Sequence, residues 1–224
     1  MPHASRHQEI AYCFLLANIW IRIRNLQYSL SVIPPSKHRH EGFCFISSAA
    51  GAVGQLVGQV AKHAGLTGIG SVGDDDKLRY ITEELGFDAG FDYKREEPLG
   101  ALRRLAPRGV DIYYENVGGE HLDAALDVMN VHGRIVACGM ISQYNLLPEE
   151  RYGVKSLFHI VTKRIRMQGF VVGDPNMGPK YLQERNERVS RWLANGTIKA
   201  QEHITVGIEN GLWGPDLVQA CVGY

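Results

Sequence analysis

The sequence predicts an α/β fold in which a doubly wound parallel sheet is covered by helices. Three observations support this fold class. Short apolar runs alternate with segments of helical period from residue 43 onward, a run of small residues follows the first apolar run, and glycine stands where several helices should end. Because parallel strands need a crossover between them, this alternation is the pattern expected of such a sheet.

The first half of the predicted sheet consists of strand 43–47, helix 53–64, strand 67–72, helix 74–85 and strand 89–93. Apolar residues at helical spacing define the helices, and Gly65 and Gly86 end them. The acidic run 74–76 opens the second helix, where carboxylates interact favourably with the helix dipole.

The second half continues with helix 98–105, strand 110–114, helix 120–129, strand 134–138, helix 154–163, strand 167–172 and helix 179–194. Pro98 suits the first turn of its helix because its missing N–H costs little there. Gly139 closes the fifth strand and Gly196 ends the last helix. The chain contains no internal repeat.

Composition excludes several classes of function. Lys plus Arg equals Asp plus Glu at 24 each, so no overall field attracts nucleic acid or an anionic membrane. The four cysteines are scattered without a Cys-x-x-Cys pair, which argues against a disulfide framework and a structural zinc site. The apolar run 11–23 is shorter than the roughly 20 residues of a membrane span, and Glu9 argues against a signal peptide. We therefore predict a cytoplasmic protein with no metal, no nucleic acid and no membrane partner.

The segment 48–54 carries the pattern Ala-x-Gly-x-x-Gly between the first strand and its helix. Small residues there allow the backbone to approach a pyrophosphate, whose charge is met by free N–H groups at the helix N-terminus. The alternative is a tight turn with no ligand, but the five alternations around it favour a Rossmann-type nucleotide site. The predicted contacts are Ala50, Gly51, Ala52, Val53 and Gly54.

The end of the second strand indicates which dinucleotide is bound. An NAD-binding protein usually places Asp or Glu about 20 residues after the glycines, and this position falls near Val72. Ser71, Gly73 and Lys77 could surround a 2′-phosphate instead, so the sequence favours NADP(H). The acidic run 74–76 is a counter-signal that we interpret as helix-capping and solvent-facing. For Lys77 the alternative is an ordinary exposed helix lysine.

Five further runs carry a family resemblance: Ala-Ala-Gly-Ala-Val-Gly-Gln, Glu-Leu-Gly-Phe-Asp, Asp-Tyr-Lys, Glu-Asn-Val-Gly-Gly-Glu and Cys-Gly-Met-Ile-Ser-Gln-Tyr-Asn. Over residues 43–210 the chain resembles the medium-chain dehydrogenase/reductase superfamily. More narrowly, it is similar to the zinc-independent alkenal/one oxidoreductases, also described as prostaglandin reductases, leukotriene B4 12-hydroxydehydrogenases and double-bond reductases.

The resemblance implies a Rossmann domain paired with a GroES-like substrate domain, and NADPH-dependent reduction of the double bond of an enone or enal. It also implies a homodimer joined near the sixth strand. On the adenosine phosphate side it implies contacts from Lys77 and Tyr93. On the nicotinamide side the implied residues are Asn116 and Cys138, with Phe170 and Val172 closing over the nicotinamide ribose. Gly139, Ile141 and Tyr144 are further predicted cofactor contacts, and the resemblance also implies that Tyr144 stands near the substrate carbonyl.

Tyr144 is the candidate catalytic residue. Hydride addition to the β-carbon leaves negative charge on the carbonyl oxygen, and a phenol hydrogen bond suits that oxygen. The alternative is a packed loop aromatic with a satisfied hydroxyl. We expect His121, His132 and His159 to lie at the surface or an interface, and Cys138 to be a small buried hydrophobe rather than a reactive thiol.

Both ends of the chain depart from the family. We predict a non-homologous segment at 1–41, an NADP-binding domain at 42–203 and a divergent remnant at 204–224, with the substrate domain largely missing. Our hypothesis is a truncated or mis-spliced gene. Two alternatives stay open: a non-catalytic nucleotide-binding fragment, and a zinc-independent quinone reductase.

Overall fold

The computed structural model describes residues 42–171, 173–175 and 178–201, which fall into two compact units. One unit contains residues 42–169 together with 200–201, and it holds the whole parallel sheet. The other contains the described residues between 170 and 199, including helix α6, Gly178–Ala194. The predicted segments 1–41 and 204–224 lie outside the described residues.

The sheet has six strands in the order β3-β2-β1-β4-β5-β6, and every neighbouring pair is parallel. The order reverses direction between β1 and β4, which makes the sheet doubly wound and confirms the predicted fold class. The strands are β1 Phe43–Ile46, β2 Thr67–Val72, β3 Ala89–Asp92, β4 Val110–Glu115, β5 Met129–Ala137 and β6 Arg166–Gly169.

Helices connect the strands as the crossovers require. They are α1 Gly54–His63, α2 Asp75–Arg79, α3 Pro98–Leu105, α4 Gly119–Val128 and α5 Phe158–Thr162. A π-helical turn, Tyr80–Glu84, continues α2, and two 3₁₀ turns, Ile141–Gln143 and Pro148–Glu150, follow β5. No helix in the described ranges is long and apolar enough to cross a membrane.

The core of the sheet unit lies between the strands and helices α3 and α4. Phe45 of β1 stacks on Tyr113 of β4 with ring centroids 4.7 Å apart, and on Phe91 of β3 at 6.0 Å. Each such side chain stabilises the fold by about 1.5–3 kcal/mol when fully buried. Around these rings pack the buried residues Ile69, Leu102, Leu122, Ala125, Leu126 and Ile135.

The predicted bounds differ from the structure for several elements, among them the sixth strand and helix α5. The sixth strand ends at Gly169 rather than residue 172, because its partner β5 ends at Ala137, which pairs with Gly169. Phe170 therefore lies beyond the strand, and Val172 lies outside the described residues. Helix α5 has five residues rather than ten, because the amides of Lys155 and Ser156 donate to the Asp123 carboxylate at 3.0 and 2.7 Å instead of continuing a helix.

Candidate functional site

The turn between β1 and α1 is built by close backbone contacts. The amide of Ala49 donates to the carbonyl of Ser71 at 2.9 Å, and Ser48 takes a positive φ of 52°. A Cβ atom at Gly54 would lie 2.2 Å from the Ser48 carbonyl oxygen, so only glycine fits there. The small residues of the predicted motif therefore allow the turn and helix to meet at this distance.

The same turn leaves hydrogen-bond donors available. The amide of Gly51 donates to Ser48 at 3.1 Å and that of Gln55 to Gly51 at 3.0 Å. Within the described part of the chain, the amides of Ala52, Val53 and Gly54 have no acceptor. They lie at the start of a ten-residue helix, where the partial positive charge favours an anion. This arrangement fits a pyrophosphate group.

Gly73, just after β2, lies beside two residues that follow β3. A Cβ atom at Gly73 would be 3.3 Å from Tyr93 Cε1 and 3.5 Å from Lys94 Nζ. Lys94 Nζ also lies 5.9 Å from the centre of the Tyr93 ring. Lys94 was not among the predicted site residues, although its place beside Tyr93 at the end of a parallel strand could have indicated it.

Lys77 and Ser71 lie near the same strand end. Lys77 Nζ is 3.4 Å from the Asp74 carboxylate, so this cation is already partly paired. Ser71 is 1 % exposed, and its hydroxyl has no hydrogen-bond partner among the residues that the structure describes. Gly73, Tyr93, Lys77 and Lys94 together form a positively charged, partly open corner, which fits a phosphate group better than a diol.

The acidic run beside this corner caps a helix. Asp74 accepts from the amide of Lys77 at 2.8 Å, and Asp75 and Asp76 pair with Arg95 and Arg79. Partial burial opposes ionisation of Asp74, but the hydrogen bonds from Lys77 and the charges of Lys77 and Lys94 keep its pKa below the ordinary value. Capping and exposure are as predicted, although the Asp74 charge lies close to both lysines.

Asn116 ties the ends of β4 and β1 together. Its side-chain amide donates to the Ser47 carbonyl at 2.7 Å, and its backbone amide donates to the Ser47 hydroxyl at 2.9 Å. Ligands of doubly wound sheets bind at the point where the strand order reverses, outside the carboxyl ends of the strands. Asn116 follows β4 and the glycine turn follows β1, so both lie at the carboxyl ends of the two strands between which the order reverses.

The loop after β5 carries Tyr144 and is fixed to the end of β4. The amides of Cys138 and Gly139 donate to the Glu115 carbonyl at 2.9 and 3.1 Å, and that of Ile141 donates to the Asn116 carbonyl at 3.0 Å. Tyr144 is 60 % exposed, and its hydroxyl oxygen accepts from the amide of Met140 at 3.0 Å. This bond leaves the phenol O–H available to donate, and an amide donating to the same oxygen strengthens that donor.

Most of the predicted cofactor contacts thus follow the carboxyl ends of the five strands β1 to β5. Ser71 differs because it lies inside β2 with a buried side chain. Phe170 belongs to the other compact unit, and Val172 lies outside the described residues.

The prediction that His121 lies at the surface is wrong. It is 3 % exposed on α4, and its ring stacks with Phe45 and Phe91 at centroid distances of 6.4 Å. Burial lowers the pKa of His121 to about 4, so the ring is neutral at neutral pH. The helical period places residue 121 one turn before the core residue Ala125, which explains why it faces the sheet.

Comparison with known proteins gives a family match. Residues 52–187 match the zinc-binding dehydrogenase family. Among the described residues, no three His, Cys, Asp or Glu side chains form a group that could hold a metal ion, so they do not fit the zinc in that family's name.

Individual relatives are similar over the same region. The chain is 57 % identical over 166 residues to the NADP-dependent oxidoreductase RED1 of Cochliobolus heterostrophus, covering 74 % of this chain and 47 % of that protein. It is 49 % identical over 168 residues to a 2-alkenal reductase (NADP(+)-dependent) of Nicotiana tabacum, covering 74 % and 47 %. The chain spans about half the length of the curated relatives that it matches.

A solved structure agrees in fold. CurA of Vibrio vulnificus, crystallised in complex with NADPH, superimposes with a TM-score of 0.77 at 30 % identity, covering 100 % of this chain and 64 % of CurA. The parallel six-stranded sheet and the sequence match together lead to one conclusion. The chain belongs to the zinc-binding dehydrogenase family of the medium-chain dehydrogenase/reductase superfamily.

Proposed function

We propose that this chain binds NADPH, and that the protein reduces the carbon–carbon double bond of an α,β-unsaturated aldehyde or ketone. The observation that carries the proposal is the set of open amides at Ala52, Val53 and Gly54, placed where the strand order reverses. The relatives support it, since one is named as an NADP-dependent oxidoreductase and another as a 2-alkenal reductase.

The binding residues divide by chemistry. The turn Ala50 to Gly54 would hold the pyrophosphate through backbone donors. The corner formed by Gly73, Lys77, Tyr93 and Lys94, beside the end of β2 that contains Ser71, would hold the 2′-phosphate, with two ammonium groups near one strand end. The nicotinamide side would be lined by Asn116, Cys138, Gly139 and Ile141.

Tyr144 would act on the substrate. NADPH, when bound, would supply a hydride to the β-carbon of the substrate, and the electrons of the carbon–carbon double bond would move toward the carbonyl oxygen to give an enolate. A proton from water would then add to the α-carbon as the carbonyl double bond re-forms. The exposed phenol of Tyr144 would donate a hydrogen bond to that oxygen as its negative charge develops. The Met140 amide holds the phenol oxygen in place, so the donor is oriented before the substrate arrives.

Titration with NADPH and NADH, followed by NADPH oxidation with a simple enone, tests the proposal. We expect tighter binding of NADPH than NADH, and Tyr144→Phe should lower kcat about 10²-fold while leaving the NADPH Kd within about threefold. Tyr152→Phe is the matched control, because the Tyr152 hydroxyl donates to the Asp123 carboxylate at 2.9 Å and is therefore not available to a substrate.

Other outcomes would favour the alternatives. NADPH binding without enone turnover would indicate a nucleotide-binding chain that does not catalyse the reaction, and faster turnover of quinones would indicate a quinone reductase. Absence of binding to either nucleotide would refute the proposal. A cytoplasmic location and a homodimer stay predictions from the sequence.

A further inference from the structure

Glu115 is a buried carboxyl at the end of β4 for which the proposed chemistry has no use. It is 0 % exposed, and its Oε1 atom accepts from the amides of Val117 and Gly118 at 2.6 and 2.8 Å. The Tyr113 hydroxyl donates to the same oxygen at 2.8 Å and the Ser47 hydroxyl at 3.3 Å. One carboxyl oxygen therefore gathers donors from the ends of β1 and β4 and from the turn that follows.

The turn at Val117 and Gly118, which Glu115 holds, also supports the loop that carries Tyr144. Gly118 takes a positive φ of 77°, so the chain reverses sharply between β4 and α4. The Val117 carbonyl accepts from the amide of Ser142 at 3.0 Å and from its hydroxyl at 2.6 Å. The loop is thus bonded to the backbone groups that Glu115 fixes.

The same contacts reach the nucleotide side. Ser47, which donates to Glu115, also accepts from the amide of Asn116 at 2.9 Å. A displaced Glu115 would release the Val117 and Gly118 amides and loosen Ser47. Both Asn116 and the loop would then lose their fixed positions, because each bonds to a group in this network.

The second carboxyl oxygen of Glu115 argues against a purely stabilising role. Oε2 is buried and has no hydrogen-bond partner within the residues described. An unpaired buried acceptor destabilises the folded protein, and burial also raises the pKa of Glu115. An apolar side chain would avoid this cost but could not hold the two amides.

We propose that Glu115 is a positioning residue of the nucleotide site, which acts by fixing the Val117 and Gly118 amides and through them Asn116 and the loop of Tyr144. This proposal rests on the proposed NADPH-dependent function. The positioning role needs only an acceptor oxygen at this place. Glutamine at position 115 should therefore preserve the role, and leucine should not.

The test combines NADPH titration with hydrogen–deuterium exchange of the full chain. We expect E115L to weaken NADPH binding at least tenfold and to speed amide exchange at 138–144 at least tenfold. We expect E115Q to stay within threefold of the unchanged protein in both. The control is E120L, which alters an exposed glutamate on the neighbouring helix and should change neither quantity. Circular dichroism and melting temperature establish that each variant folds.

Each outcome decides the question. A folded E115L with unchanged Kd and loop exchange overturns the proposal, as does an E115Q as impaired as E115L. If E115L does not fold, S47A takes its place. We expect S47A to lose three- to tenfold in NADPH affinity and to show faster loop exchange, and equal values in S47A and the unsubstituted protein would overturn the proposal.

The proposed function fails if the unsubstituted protein does not bind NADPH. Loop exchange without nucleotide would still decide the role of Glu115.

Discussion

At the scale of single residues, Gly54 shows how closely the backbone is packed at the nucleotide turn. A methyl group there would meet the Ser48 carbonyl oxygen at 2.2 Å, and the neighbouring backbone of Ala49 could not move away without disturbing the strand end. We expect Gly54→Ala to lower the free energy of unfolding by about 1–3 kcal/mol and to weaken NADPH binding. Urea denaturation and titration measure the two effects.

Gly100 provides the matched control for Gly54. It lies in helix α3 with nothing within 4 Å of a Cβ atom, so Gly100→Ala should leave stability unchanged or raise it by up to about 1 kcal/mol. Equal effects of the two substitutions would contradict the packing explanation.

His121 makes the stability of the fold depend on pH. Its folded pKa of about 4 lies below the ordinary value of 6.5, so between these values the unfolded chain takes up a proton that the folded chain does not. Stability should therefore fall as the pH drops from 6.5 to 4, by at most roughly 3 kcal/mol from this group. His121→Phe should reduce this dependence in urea denaturation.

At the scale of elements, helix α2 combines a structural cap with an electrostatic effect on the site. Asp74 caps the helix through the Lys77 amide, and its charge lies beside Lys77 and Lys94. Asp74→Asn keeps a capping side chain and removes that charge, so we expect tighter NADPH binding, by about three- to tenfold, with stability preserved. The effect is measured as the ratio of NADPH affinity to NADH affinity, and this ratio should decrease as salt is added.

Asp76→Asn is the control for Asp74→Asn. Asp76 is more exposed, at 86 %, and pairs with Arg79 rather than with either lysine. A gain in NADPH affinity as large as that of Asp74→Asn would show that the effect does not depend on the position of the charge.

Most of the strands and helices could be predicted from the sequence, because the pattern that identifies each one lies within a few consecutive residues. The apolar runs of β1 to β4 and the helical spacing of α1 appear within a few residues, and the structure confirms them. The start of β5 was missed because Met129 joins the sheet by pairing with Val110, beyond a register shift between Val110 and Ile112. Helix α5 was predicted too long, because residues 155 and 156 bond through their amides to Asp123, more than 30 residues earlier in the chain, and are not helical.

At the scale of the whole molecule, the prediction of zinc independence can be tested directly. We expect a metal chelator to leave the melting temperature and the NADPH Kd unchanged, because the described residues contain no group of ligands that could hold an ion. NADPH at a hundred times its Kd should raise the free energy of unfolding by about 2.7 kcal/mol. A chelator-dependent loss of stability or affinity would contradict this prediction, and NADH at the same concentration provides the comparison.

The sequence by itself determined the succession of strands and helices along the chain, the glycine turn after β1 and the family resemblance, because each depends on residues close together in the chain. Only the tertiary structure decided that Lys94 reaches Gly73, that His121 is buried among aromatic rings, and that Glu115 holds a turn and a loop together. Each of these joins residues from different strands or helices. Such contacts depend on how strands far apart in the chain align in the sheet, and the pattern within one short segment does not identify its partner strand.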